Sequence, residues 1–130
     1  MQEIIILENR LTTLQENILI ELNKTFNTSF VCKKMNIKPI TLSKSIQSLT
    51  NNNFIENNSL TLKGKKMVHY LEFRNETINL FLKKYKIIEN ENIINQMSKL
   101  DYKIIIALRN LIWILTSFVN VNNNTNNRNN

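Results

Sequence analysis

Four side chains between residues 39 and 50 have the types and spacing of a surface that contacts nucleic-acid bases. They are Ile40, Thr41, Lys44 and Gln47. A lysine ammonium can donate hydrogen bonds to O6 and N7 of guanine, and a glutamine amide can pair with N6 and N7 of adenine. Isoleucine, or the methyl group of threonine, can contact the thymine methyl. An ordinary solvated helix face has a similar composition and is the alternative interpretation.

The element that must position these residues is a short amphipathic helix over residues 39–50. Leu42, Ile46 and Leu49 recur at intervals of four and three residues, which places them on one face of that helix. The polar residues then lie on the opposite face. Pro39 is the only proline in the chain. It suits the first turn of a helix, where its missing N–H is not needed.

Basic and polar side chains around this helix are candidates for phosphate contact, which would orient the protein without reading sequence. The candidates are Lys33, Lys34, Lys38, Ser48, Lys63, Lys65 and Lys66. Residues 25–86 carry eleven Lys and Arg against three acids and have a formal charge of +8, whereas residues 1–24 carry −2 and residues 87–130 carry +1. This distribution favours a polyanionic partner, duplex DNA ahead of a membrane. Ordinary surface lysines are the alternative.

The segments before this helix are predicted to be helical, with short polar connections. Thr12 and Thr13 each stand three residues before a Gln or a Glu, which is the spacing of a capping box and predicts a helix over 12–24. A second, short helix with Thr28 as its N-cap is expected to run to about residue 35. Residues 36–38 then form a turn of the length found in helix-turn-helix motifs.

The segments after this helix predict a hairpin and three more helices. Two short extended pieces surround Asn57 and Asn58, which suit a two-residue hairpin turn and form the candidate wing. A long helix begins at Gly64, the only glycine in the chain. Two further helices are predicted over 91–99 and 101–119.

Together these elements predict a mainly α-helical protein of the winged helix-turn-helix class, with a three-helix core, a very short β-hairpin and C-terminal dimerisation helices. Residues 1–66 form the predicted DNA-binding unit, residues 67–119 the helical dimerisation region, and residues 120–130 a disordered Asn-rich tail. The apolar run at residues 4–7 is predicted to be a further helical turn or a dimer contact.

Residues 31–56 and those that follow resemble the iron- and manganese-dependent (DtxR-like) repressor family. Residues 37–42 (IKPITL) match the family's apolar residue, polar residue, proline and Ser/Thr before the recognition helix. Residues 60–64 (LTLKG) match its L-T-x-K-G sequence after the wing. The likeness spans about residues 12–105 and implies a dimeric, cytoplasmic repressor of transcription. MarR-type regulators are a second resemblance, through residues 11–15 (LTTLQ).

The first resemblance also implies a divalent-metal switch and a full wing, and the chain departs from both. Asn75 stands where a ligand histidine is expected, and Ser98, Asp101 and Tyr102 fall roughly where acidic and histidine ligands would lie. One carboxylate is too few to hold a divalent cation against water. We therefore predict no metal and no other cofactor, and no effector is indicated.

The residues that most often carry catalysis are scarce. There is one histidine, His69, and one cysteine, Cys32. No triad and no glycine-rich phosphate loop accompanies them, so the chain is predicted not to be an enzyme. Cys32 is predicted to be a packing residue, with a redox-sensing thiol beside Lys33 as the alternative. The single cysteine and the absence of a signal peptide in the first ten residues favour the cytoplasm.

The most apolar stretch, residues 101–119, predicts a dimer seam. Arg109 and Asn110 interrupt it, and the uncharged part that remains is shorter than the roughly 20 residues that span a bilayer. The candidate dimer residues are Leu108, Leu111, Trp113, Leu115 and Phe118. A two-fold dimer would match a palindromic DNA site. The alternatives are a membrane-surface helix and, for the whole chain, a protein-interaction module that does not bind DNA.

Overall fold

The computed structural model describes residues 11–87 and 90–128, with the backbone alone for 119–128. Within these residues the protein is mainly helical and has one small antiparallel sheet. The helices are α1 (Thr13–Lys24), α2 (Thr28–Met35), α3 (Pro39–Asn51), α4 (Leu62–Lys84), α5 (Glu91–Ser98) and α6 (Tyr102–Arg128). The strands are β1 (Ile55–Glu56) and β2 (Ser59–Leu60). This order of elements agrees with the prediction, and residues 4–7 lie outside the described residues.

The chain divides into two compact units between Phe73 and Arg74. The sequence predicts the boundary earlier, after residue 66. The difference arises because α4 is continuous across the boundary and its first three turns belong to the first unit. Met67 and Leu71 in these turns are buried, so the start of α4 supplies part of the core.

A capping box opens α1, as predicted. The Thr12 hydroxyl accepts a hydrogen bond from the Gln15 N–H at 3.1 Å, and the Gln15 side-chain oxygen accepts one from the Thr12 N–H at 3.0 Å. Of the two overlapping boxes that the sequence predicts, this is the one that forms. Behind it, Ile18, Leu19 and Leu22 recur at helical spacing and are buried.

The start of α2 differs from the prediction by one residue. Asn27, and not Thr28, is the N-cap, because its Oδ1 accepts a hydrogen bond from the Phe30 N–H at 3.1 Å. Asparagine is the more favourable N-cap of the two. The helix ends at Asn36, whose φ of 55° lies in the left-handed region that asparagine tolerates. Pro39 then occupies the first turn of α3, as predicted.

The hairpin consists of two strands of two residues each. Ile55 of β1 pairs with Leu60 of β2 in an antiparallel register. Between the strands, Asn57 and Asn58 have φ values of 51° and 57°. Positive φ at both central residues is what a type I′ hairpin turn requires, and asparagine is among the residues that adopt it. The predicted Asn-Asn turn is therefore confirmed.

The core of the first unit is formed by apolar side chains from α1, α2, α3, the hairpin and the start of α4. Buried there are Ile18, Leu19, Leu22, Val31, Leu42, Leu49, Phe54, Ile55, Leu60, Met67, Val68, Tyr70 and Leu71. The three helices contact one another, β1 contacts α3, and β2 contacts α1. The hairpin thus closes one end of the helical core instead of extending away from it.

Phe54 joins the end of α3 to the hairpin and to the start of α4. Its side chain is fully buried, its N–H donates to the Leu49 carbonyl at 2.9 Å, and its carbonyl accepts the Thr61 N–H at 3.0 Å. The Thr61 hydroxyl accepts the Gly64 N–H, so α4 begins at Leu62 and not, as predicted, at Gly64. A Cβ atom at Gly64 would collide with the Phe54 carbonyl oxygen. Only glycine allows this close approach.

In the second unit, the second half of α4 and the first half of α6 lie side by side. The Arg109 guanidinium donates to the Thr77 hydroxyl at 3.0 Å and pairs with the Glu76 carboxylate at 3.1 Å. Further along, the Lys84 ammonium donates to the Thr116 hydroxyl at 3.3 Å. Because residue numbers rise together along both helices, the two helices run in the same direction.

The end of α6 differs from the prediction. The backbone remains helical to Arg128, whereas the sequence predicts a disordered tail from residue 120. Extending a helix that already exists adds one hydrogen bond for each residue fixed, which is far easier than starting a new helix. No helix within residues 11–87 and 90–128 is long and apolar enough to cross a membrane.

Replacing Gly64 with alanine should lower the free energy of unfolding by about 1 to 3 kcal/mol, because the added methyl group would have to displace the Phe54 backbone. Helix propensity alone predicts the opposite sign, a gain of up to about 1 kcal/mol. Urea unfolding monitored by circular dichroism distinguishes the two. Lys65→Ala, in the same turn but exposed, is the control and should change stability by less than about 0.5 kcal/mol. A more stable Gly64→Ala protein would contradict the steric explanation.

Candidate nucleic-acid interface

The exposed face of α3 carries three of the four predicted base-facing residues. Leu42 and Leu49 of the predicted inward stripe are buried. On the opposite side, Ile40, Lys44 and Gln47 are exposed and fall within about 60° of one another at 100° per residue. Ile40 is 62% exposed. The face therefore presents an ammonium, an amide and an apolar group together.

The other flank of α3 is turned towards α1. Thr41 and Ser48 lie on this flank and are half-buried. The Ser48 hydroxyl accepts a hydrogen bond from Gln15 Nε2 at 3.1 Å. Since Gln15 also belongs to the capping box of α1, one side chain fixes the start of α1 against α3. Thr41 is therefore at the edge of the exposed face, and Ser48 already has a partner in the protein.

Four of the lysines predicted to contact phosphates are free to do so. Lys33, Lys38, Lys65 and Lys66 are exposed. None of their ammonium groups forms a hydrogen bond or an ion pair with another described residue. An exposed ammonium without an internal partner can donate all of its hydrogen bonds to an anion.

The other two predicted phosphate lysines are held by partners within the first unit. Lys34 Nζ lies 2.8 Å from a carboxylate oxygen of Glu21. Lys63 Nζ donates to the Asn52 carbonyl at 2.9 Å and lies 4.7 Å from the centroid of the Phe54 ring. These contacts make both lysines part of the fold. The predicted phosphate set therefore separates into a free group and a structural group.

The tip of the hairpin presents amide groups and no positive charge. Asn57 and Asn58 are exposed, as is the neighbouring Glu56. The Ser59 hydroxyl donates to the Glu56 carbonyl at 3.1 Å and tightens the turn. A hairpin with two residues in each strand extends only a short distance, as the sequence predicts, and its tip offers hydrogen bonds without electrostatic attraction.

An open groove of about 530 Å³ lies between α2 and α3, and the sequence does not predict it. It is lined by Thr28, Ser29, Cys32, Lys33, Pro39, Leu42, Ser43 and Ile46. Cys32 is half-buried and lines this groove. The sequence predicts it to be a packing residue beside Val31. Small residues that face each other on adjacent helices leave such a groove. Which residues face each other cannot be read from the sequence of either helix alone.

The positions where the metal-dependent family suggests ligands make other contacts. The buried Arg74 guanidinium donates to Asn75 Oδ1 at 2.9 Å and to the Ser98 carbonyl at 3.4 Å. Asn75 and Ser98 therefore bond with a cation of the protein itself. Among the described residues, no group of three or more His, Cys, Asp or Glu side chains could hold a metal ion. His69 is exposed.

The first unit thus presents a polar helix face beside exposed lysines and a short hairpin. Comparison of the chain with protein-family models, with curated proteins and with solved structures found no match. The function of this face is therefore inferred from its own geometry and charge.

The ion pair between Lys34 and Glu21 ties α2 to α1. Lys24, on α1 itself, lies 3.4 Å from the other carboxylate oxygen of Glu21. The hydrogen bond from Lys34 lowers the pKa of the Glu21 carboxyl below its ordinary value of 4.5; partial burial opposes this, and Lys24 reinforces it. A carboxylate with a lowered pKa stabilises the fold above its ordinary pKa, and this contribution is lost as the pH falls through the folded-state pKa.

A Glu21→Gln protein should be less stable than the wild type at neutral pH. It should also lose less stability on acidification below pH 4.5, because the group whose pKa is lowered has been removed. Chemical unfolding at a series of pH values measures both effects. Glu72→Gln, which changes an exposed carboxylate of the same unit, is the control and should keep the wild-type profile. The same acid response in the Glu21→Gln and wild-type proteins would rule out a stabilising role for the pair.

Proposed function

We propose that the protein is a winged helix-turn-helix regulator that binds duplex DNA as a dimer, with α3 in the major groove. The observation that carries this proposal is the one-sidedness of α3, whose exposed face brings Ile40, Lys44 and Gln47 together. The N-terminal exposed residues of a recognition helix are the ones that approach base edges in helix-turn-helix proteins. In this assignment α2 is the preceding helix, residues 36–38 are the turn, and the β1–β2 hairpin is a reduced wing.

The chemistry of the α3 face supports recognition of mixed sequence. Lys44 can donate to O6 and N7 of guanine, and the Gln47 amide can form a bidentate pair with N6 and N7 of adenine. Ile40 offers an apolar contact for a thymine methyl, and Thr41 can add its own methyl at the edge of the face. These contacts discriminate between bases, whereas the surrounding lysines act on any sequence.

The four free lysines support a phosphate contact on either side of α3. Lys33 and Lys38 come from α2 and the N-cap of α3, and Lys65 and Lys66 come from the first turn of α4. Each phosphate that is neutralised releases counterions and steepens the dependence of log K on log salt by about 0.9. Lys34 and Lys63 contribute to this field while stabilising the fold through Glu21 and Asn52.

The regulatory part of the proposal rests on the resemblance to DtxR-like repressors at residues 31–64 and to MarR-type regulators at residues 11–15. That resemblance supports a cytoplasmic repressor that blocks access to a promoter. In this proposal the protein is not an enzyme and acts without a bound metal, since one carboxylate at the family's ligand positions is too few to hold a divalent cation.

A protein-interaction module is the second candidate, and two observations favour it. Ile40 exposes an apolar side chain on the same face, and the groove between α2 and α3 is open and lined by apolar groups at Leu42 and Ile46. An apolar side chain of a partner protein could pack against Ile40 or enter the groove. A gel-shift titration with random duplex and with the DNA upstream of the gene discriminates, since an interaction module would retain neither.

Replacing Lys44 and Gln47 together with alanine should abolish preference for a specific site while leaving the fold intact. The loss should correspond to about 1 to 3 kcal/mol for each base contact removed, measured as the ratio of affinities for the selected site and for random duplex. Lys99→Ala removes one exposed charge from the second unit and is the control for net charge. If the double variant kept the wild-type ratio, α3 would not be the recognition helix.

Replacing Lys65 and Lys66 with alanine should weaken binding to all duplexes equally. The slope of log K against log salt should fall by about two, because two phosphate contacts are lost. Fluorescence anisotropy at several salt concentrations measures the slope. Lys34→Ala and Lys63→Ala should instead lower protein stability, since both lysines are bonded within the first unit. An unchanged slope in the Lys65/Lys66 variant would place α4 away from the DNA.

A further inference from the structure

One face of α6 carries a continuous row of large apolar side chains. The row, which we name the α6 stripe, consists of Ile104, Leu108, Leu111, Leu115 and Phe118. Its members follow one another at alternating steps of four and three residues. At 100° per residue they fall within about 80° of one another. This is the heptad spacing of helices that pack along each other.

The α6 stripe is not covered by the rest of the second unit. Ile104 is 50% exposed, Leu111 48% and Phe118 63%. Exposed apolar side chains are common singly, but a contiguous row of them marks a surface that binds something. Leu108 and Leu115 are half-buried, so the row is open at Ile104, Leu111 and Phe118 and partly covered between them.

A different side of α6 packs against α4. Ile105 and Ile112 are buried, and Arg109 and Thr116 form hydrogen bonds with side chains of α4. These four residues lie about 80° to 140° around the helix from the centre of the α6 stripe. The contact with α4 therefore leaves the stripe free for a second partner.

Trp113 does not belong to this surface, although the sequence places it among the dimer residues. It is 65% exposed but lies about 180° from the centre of the α6 stripe. The residues at the edge of the stripe are Ala107 and Ile114, which are both exposed. Neither the stripe nor this edge carries a charge, so nothing repels a similar surface.

The second unit has a small core of its own. Its buried apolar side chains are Ile78, Leu82, Ile105 and Ile112. The described α5 buries no side chain completely. Among residues 74–87 and 90–118, large apolar residues that remain exposed outnumber the buried ones. Association would bury part of this exposed surface and help to offset the entropy of ordering the chain.

We infer that the α6 stripe is the seam of a homodimer, in which α6 of one copy lies parallel to and in register with α6 of a second copy. The stripe and its edge expose roughly 500 Å² of apolar surface in each copy. Two copies would bury about 1,000 Å², which is the lower limit for a stable interface. A second copy also matches the stripe in length and spacing. The inference extends the dimer of the proposed function and stands whether or not the chain binds DNA.

The direction of pairing follows from the spacing of the stripe. In a parallel pair in register, each of the five members faces its own copy. Reversing one helix lets at most four members pair, Ile104 with Leu115 and Leu108 with Leu111, and leaves Phe118 opposite Asp101. Losing apolar layers costs roughly 1.5 to 3 kcal/mol for each large side chain. Unfavourable alignment of helix dipoles costs less, about 1 kcal/mol at most.

Disulfide trapping tests both the seam and its direction. In a Cys32→Ser background, Ile104→Cys and Leu111→Cys should each form covalent dimers under mild oxidation, because a disulfide requires Cα atoms within about 7 Å. In the antiparallel pair that sets Leu108 against Leu111, the two copies of residue 104 would be about 16 Å apart along the helix axis. Ser117→Cys, exposed on the far side of α6, is the control and should not cross-link.

Light scattering of the unmodified chain, without DNA, should give the mass of a dimer. Leu111→Lys should produce a monomer, and Trp113→Lys, on the other side of the helix, should remain dimeric. Cross-linking at 111 but not at 104 would overturn the parallel arrangement. A wild-type monomer, or a monomer that binds phosphatidylglycerol vesicles, would overturn the homodimer. Because no DNA is present, failure of the proposed DNA binding could not produce either result.

Discussion

The first unit depends on the close approach of two backbone segments at Phe54 and Gly64. The Phe54 N–H ends α3 by bonding to the Leu49 carbonyl, and its own carbonyl receives the Thr61 N–H as α4 begins. Its ring is buried in the core, beneath the ammonium of Lys63. One residue thus sets where α3 stops, where the hairpin turns and where α4 starts. A side chain at position 64 would separate these three elements, which explains why the only glycine of the chain stands there.

With these elements fixed, the fold determines which polar and basic side chains of residues 25–86 lie on the surface. The inner face of α3 is held by Leu42 and Leu49, so its polar residues must lie on the surface. Lys34 and Lys63 are bonded within the first unit and so add to the local field while stabilising the fold. In the proposed function, the free lysines determine which anion is bound and at what ionic strength. Stability and recognition would then be supplied by different lysines of the first unit.

Local signals in the sequence predicted much of this arrangement, because the residues that make them are neighbours in the chain. The capping box at Thr12, the proline at the start of α3 and the Asn-Asn turn each act within four residues. Contacts between distant segments were not predictable in this way. The sequence contains no signal that pairs Glu21 with Lys34. It predicts a helix start at Gly64 because the Phe54 carbonyl that this glycine accommodates is ten residues earlier. Hydrophobicity alone likewise grouped Trp113 with residues on the opposite face of α6.

The second unit shows how two kinds of contact can share one helix. Polar contacts join α6 to α4, through Arg109 with Thr77 and Lys84 with Thr116. Hydrogen bonds are directional and leave unsatisfied groups if one helix slides, so they define the register of the pair more sharply than apolar contact does. Apolar contact tolerates small shifts but supplies more free energy for each residue buried. The polar contacts of α6 with α4 therefore specify how the unit is assembled, and in the proposed dimer the α6 stripe supplies the free energy for association with a second chain.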